Sequence, residues 1–300
     1  MASVPYEIIA ASKPFRFLVG PDKREFQMHS ELVARMSKPL GTLVKGEWEE
    51  GKNGVVEWPE IDEGTFVRFC EFAYTGDYKA AKSFEDIPTP EEEEPALVSP
   101  PAIADVQDMP QVEEAMPADY EEPIAEPEPY DPWGTRKKGK KRSVFETPPS
   151  PPPPSKKDIM WQQFQDAIGN EPDMRPKEEP NTDPLANYSE VLISHARLYA
   201  LADYLNIEVL MGLCVRKLHR TLKVFNLHKG ARVTDIAQLI DYAYSNTVSR
   251  DGEQDKLRSL LATYAACNIE ELWSNVYFQD VLKSGEVSKA IIGQLLRRVN

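Results

Sequence analysis

Proline divides this chain. Of its 26 prolines, 21 fall between Pro88 and Pro184, and none follows Pro184. Proline gives no backbone N–H to a helix or sheet ladder, and it drives the residue before it away from helical angles. A regular core therefore has to come from the two flanks. Composition agrees. Residues 81–135 hold 16 acidic residues and one lysine, Lys82. RKKGKKR at 136–142 is a dense basic block, and TPPSPPPPSKK at 147–157 favours extended polyproline II. Such a segment buries too little apolar surface to offset an ordering cost of roughly 1–2 kcal/mol per residue. Residues 80–186 are thus expected to be a disordered insert. One island differs. DIMWQQFQDAI at 158–168 sets Ile159, Met160, Gln163, Phe164 and Ile168 near helical spacing, with Trp161 beside them. It is a candidate for a short helix that forms on binding; otherwise it belongs to the disordered insert around it.

The flanks alternate between strand and helix patterns, then turn wholly helical. FRFLVG at 15–20 and REFQM at 24–28, joined by GPDK, read as a hairpin. ELVARMSKPLGTLV at 31–44 carries Leu32, Val33, Met36, Leu40 and Leu43 on a helical stripe, with Ser30 as its cap and a break at Pro39. GVVEW at 54–58 reads as a third strand. EGTFVRFCEFAY at 63–74 puts Phe66, Phe69, Cys70, Ala73 and Tyr74 on one face, capped by Asp62 and stopped at Gly76. After the insert, helices are expected at 189–205, 207–225, 233–246, 253–267 and 286–299.

A net charge of −14 opposes binding to nucleic acid or to anionic membranes. No run of about 18 apolar residues would span a bilayer, and MASVPYEIIAASKPF lacks the layout of a secretory signal. Cys70, Cys214 and Cys267 sit among apolar neighbours without a CxxC pair, so they read as buried thiols in a reducing compartment. The NYS sequon at Asn187 is then expected to be idle. There is no Gly-rich phosphate loop, nucleophile elbow or metal-ligand spacing, so neither an enzyme nor a cofactor is expected.

The run SKPFRFLVGPDKREFQMHSELVARMS, the strand after it and TFVRFCEFAYTGDY together resemble the BTB/POZ domain, most closely its fungal members. ARLYALADYLNIEVLMGLC looks like the helix pair that closes the same domain. The resemblance implies an α+β fold, a small three-stranded sheet covered by helices. Residues 13–79 would form its first part and 187–225 its closing helices, with the insert between them and a helical extension over 226–300. A long insert is tolerable because closure cost grows only with the logarithm of length. The family is an interaction fold, used for self-association and for docking on cullin-type ubiquitin ligase scaffolds.

Residue by residue, His29, Ser37, Tyr74 and Gly76 match structural positions. His29 reads as an imidazole fixing a turn rather than as a catalytic base. Trp48, Glu49 and Glu50 fall where cullin-binding members carry a hydrophobic-x-Glu motif; otherwise they are a solvated loop with one anchoring tryptophan. Dimerising members commonly have an aspartate before the first strand and a swapped N-terminal element. Here that place is Lys13-Pro14 and only about fourteen residues precede Phe15, so a full swap element does not fit, although Tyr6, Ile8 and Ile9 could pack on a partner.

Arg136, Lys137, Lys138, Lys140, Lys141 and Arg142 form a candidate nuclear-import block, or a charge block paired with the acidic tract. Thr89, Ser99, Thr147 and Ser150 each precede proline and are candidate phosphosites. The SPPPP run is a candidate ligand for an SH3 or WW groove. Two function classes follow. One is an adaptor for a cullin ligase; the other is a nuclear scaffold or transcription-associated regulator that self-associates without a ligase. The expected location is nucleus, cytoplasm or both.

Overall fold

Strict alternation in the first strand sets the sheet. In β1 (Pro14–Val19) Phe15, Phe17 and Val19 point inward while Pro14 and Arg16 face solvent. The computed structural model describes residues 5–85, 154–168, 180–250 and 254–299. Strand β2 (Arg24–His29) pairs antiparallel with β1, Phe15 opposite Met28 and Phe17 opposite Phe26. Strand β3 (Val55–Trp58) pairs parallel with the other edge of β1, giving the order β2-β1-β3.

A parallel pair needs a crossover. It is made by α2 (Ser30–Met36), α3 (Lys38–Lys45) and α4 (Glu49–Asn53). The break between α2 and α3 lies at Ser37, not at Pro39. Ser37 is extended and its hydroxyl accepts from Leu40 N–H at 3.3 Å, while Pro39 sits in the first turn, where its missing N–H costs nothing. The cap position of α2 is His29 rather than Ser30, which is already helical.

Helix α5 (Glu63–Thr75) covers the inner sheet face. The fully buried ring of Phe66 lies 5.0 Å from Phe17, 5.1 Å from Phe26 and 5.9 Å from Trp58, centroid to centroid. Each such buried ring contributes about 1.5–3 kcal/mol. Asp62 caps α5 by accepting from Thr65 N–H at 2.8 Å, and Gly76, at φ 76°, ends it. Tyr74 leaves the expected inner face and is half exposed, while Phe72 is buried in its place.

The boundaries expected for the insert are too wide at both ends. Residues 81–85 are described, and β4 (Phe84–Glu85) pairs antiparallel with β5 (Ala186–Asn187). Residues 180–185 are also described, and Asn181 is buried, its side chain bonding Asn226 N–H and C=O. Helix α6 (Lys156–Asp166) forms inside the chain itself, docked through Met160 and Phe164. The expectation of disorder over 86–153 and 169–179 lies outside the described residues.

Helices α7 (Ser189–Tyr204) and α8 (Glu208–Val224) pack on each other, and α7 also packs on α5. Then come α9 (Val233–Asn246), α10 (Lys256–Cys267), α11 (Ile269–Leu272), α12 (Val276–Val281) and α13 (Gly285–Val299). α9 packs on α7 and α10 on α8, so residues 226–299 share the core of what precedes them. The fold is mixed α+β, a three-stranded sheet among many helices.

Candidate protein-interaction surface

The Trp48 segment is helical. α4 stacks its backbone on the end of α3, and a side chain at Gly51 would meet Gly46 C=O at 2.5 Å, so that approach needs glycine. Trp48 is the cap residue of α4 and makes no capping bond; Glu49 and Glu50 fill the first turn, where a helix favours negative charge. Of the three residues expected in a loop, Glu49 and Glu50 thus begin a short helix and Trp48 directly precedes it. The tryptophan is no anchor: it is 70% exposed. Glu49 is exposed and Glu50 partly so.

His29 joins the end of β2 to the end of α5. Its backbone N–H donates to the Tyr74 hydroxyl at 3.2 Å, and its Nδ1 lies 2.9 Å from the same oxygen. If the hydroxyl proton goes to Nδ1, the oxygen remains free to accept the amide. Ser37 caps α3 and Gly76 ends α5, as described above. On α1 (Tyr6–Ala10), Ile9 is buried in this chain's own core and is not available to a partner, while Tyr6 is 79% and Ile8 49% exposed. Tyr204 and Val209, at the α7–α8 turn, are also exposed.

A second cluster ties the two flanks together. The Tyr78 hydroxyl lies 2.6 Å from His195 Nδ1, both buried. Lys217 Nζ donates to Tyr78 C=O at 2.6 Å, pairs with Asp77 at 2.9 Å and sits 4.8 Å above the Tyr78 ring. Burial, aided by the charges of Lys217, Arg68 and Arg220, pushes His195 down to about 3, so the imidazole is neutral. Its Nε2 has no hydrogen-bond partner among the described residues. Burial raises the Tyr78 hydroxyl and pushes the Cys214 and Cys70 thiols up to about 12. Thiols that stay protonated are poor nucleophiles and poor ligands. None of the three cysteines is in a disulfide; Cys70 is half-buried and the others are buried.

The sequence reading did not single out His195, Lys217 or Arg258, although each stands as a polar interruption of an apolar helical stripe. Asn187 is engaged locally, its Oδ1 accepting from Ser189 N–H at 2.8 Å. The import block, Arg136, Lys137, Lys138, Lys140, Lys141 and Arg142, and the phosphosites Thr89, Ser99, Thr147 and Ser150 lie outside the described residues, as does the SPPPP run apart from Pro154. Among the described residues no cluster of three or more histidine, cysteine or acidic side chains is placed to hold a metal, and no helix is long and apolar enough to cross a membrane. Compared with family models, curated proteins and solved structures, the chain finds no match.

Proposed function

We propose that the chain is a non-enzymatic protein-interaction module of the BTB/POZ type and, in its sharper form, a substrate adaptor for a cullin-based ubiquitin ligase. The observation that carries the sharper form is Trp48. A tryptophan 70% exposed on a helix whose first turn holds Glu49 and Glu50 does nothing for this chain's core. Large aromatic side chains are the usual energetic anchors of interfaces. The sheet order β2-β1-β3 and the helix pair α7–α8, closing the core from beyond the insert, support the coarser reading.

A self-associating nuclear scaffold is the second reading. Tyr6 and Ile8, exposed on α1, favour it as a contact between copies.

One experiment separates the two. The tagged full-length chain is purified with its partners beside a Trp48→Ala, Glu50→Ala double variant, and the bound proteins are identified by mass spectrometry. A cullin present with the unmodified chain and lost from the folded variant is the expected result. A cullin retained by the variant removes the Trp48 site. No cullin in either sample, with nuclear proteins and further copies of the chain instead, favours the scaffold.

A further inference from the structure

Helix α6 comes from the proline-rich stretch, yet it is seated like a bound ligand. Met160 and Phe164, four residues apart, are buried while Gln162, Gln163 and Asp166 face solvent. Phe164 lies 4.8 Å from the His219 ring on α8 and 5.6 Å from Tyr264 on α10. Trp161 stacks on Phe164 at 5.3 Å and meets Tyr264 edge-on at 6.1 Å. The Phe164 carbonyl, in the last turn of α6, accepts from Ala167 N–H at 3.3 Å and also from His219 Nε2 at 2.6 Å. Lys157 reaches Glu270 on α11 at 3.3 Å. These are the parts of helix-in-groove recognition: spaced apolar anchors, an aromatic floor and a capped end.

The fit is incomplete. A cavity of about 430 Å³ stays open beside α6, between Ile159, Met160 and Gln163 on one side and Thr263, Gln294 and Arg297 on the other. Ile159 is 45% exposed at its edge. Arg297 donates to Gln294 Oε1 at 3.4 Å and pairs with no carboxylate among the described residues. An isolated helix of α6's eleven residues is marginal in water, so α6 owes its form to the groove.

We propose that the groove between α8, α10 and α13 is a docking surface for an amphipathic helix of a partner protein, and that α6 occupies it in cis until such a helix displaces it. The fitting helix carries two large apolar residues four apart, with an aromatic at the second. It carries a carboxylate where α6 has Gln163, facing Arg297. This does not depend on the BTB/POZ reading or on Trp48.

The probe is a fluorescent peptide of residues 154–168, with a second version carrying Gln163→Glu. The receiver is the full chain with Met160→Ala and Phe164→Ala, which frees the groove of its own helix. The peptide is expected to bind this variant saturably, and the unmodified chain at least about ten-fold more weakly, because the tethered copy competes at high effective concentration. Gln163→Glu should tighten binding about two- to five-fold, and Arg297→Gln in the receiver should cancel that gain.

Equal binding to both chains, or none to a folded receiver, overturns the proposal. An affinity unchanged by Gln163→Glu overturns the acidic contact. A dimer of the unmodified chain that the peptide breaks up gives the groove to a second copy and overturns the separate partner. Hydrogen exchange on the unmodified chain is the check that needs no variant. Amides of α6 should exchange at least about 100-fold faster than those of α10, as a locally opening unit does. Exchange as slow as in α10 would make α6 a fixed part of the core and overturn displacement.

Discussion

Arg258 ties the end of α9 to the start of α13. It is buried, and its fork holds the end of α9: Nη2 donates to Tyr244 C=O at 2.8 Å and to Thr247 C=O, and Nε to Thr247 Oγ1 at 3.0 Å. Nη1 reaches Glu286 at the start of α13 at 2.7 Å. Those carbonyls have no helical partner of their own. Arg258→Ala should strand them in a dry site and cost about 2–4 kcal/mol. Arg258→Lys should recover part of that, since an ammonium keeps the charge but not the planar fork. Denaturant midpoints at constant slope measure both. Little of this was legible in the sequence. Leu257, Leu260, Leu261 and Tyr264 mark the apolar stripe, but nothing local tells that Arg258 turns inward to meet carbonyls ten and more residues earlier. The same holds for His195 and Tyr78, which meet across 117 positions. Trp48 was legible as a residue to watch, but its outward direction depends on how α4 sits on α3.

Elements were read best where capping chemistry is explicit. Asp62 and Gly76 bound α5 as their side-chain chemistry requires. Asp62→Ala should remove the bond to Thr65 N–H and lower stability by about 1 kcal/mol, leaving the Trp48 surface intact. A loss of several kcal/mol in thermal unfolding would mean that Asp62 does more than cap. The break between α2 and α3 was misplaced because proline reads as a breaker, whereas here Ser37 turns the chain and Pro39 starts the next helix. α11 and α12 were not foreseen. At four and six residues they are too short for periodicity to show, and tertiary contacts hold them. α6 was visible as spacing. What spacing could not reveal was its receptor, which is built from α8, α10 and α13, far along the chain.

The whole molecule depends on pieces from both sides of residues 86–153 forming one body, with Tyr78 contributed by one side and His195, Cys214 and Lys217 by the other. The flanking sequences were legible as incomplete cores; the seam that completes them was not. His195 makes the seam testable by pH. Burial pushes its pKa down to about 3, against an ordinary value of 6.5. Between those values the unfolded chain holds a proton that the folded chain refuses, so stability falls as pH falls. From pH 7 to pH 5 the loss is about 2 kcal/mol, or about 4–8 °C in midpoint for a body of this size. Calorimetric unfolding of the full chain at these two pH values is the most direct test. A single transition, with equal calorimetric and van't Hoff enthalpies and a midpoint that drops at pH 5, is expected, and His195→Gln should flatten the drop. Two resolved transitions, or one whose midpoint ignores pH, would contradict a body closed across its insert.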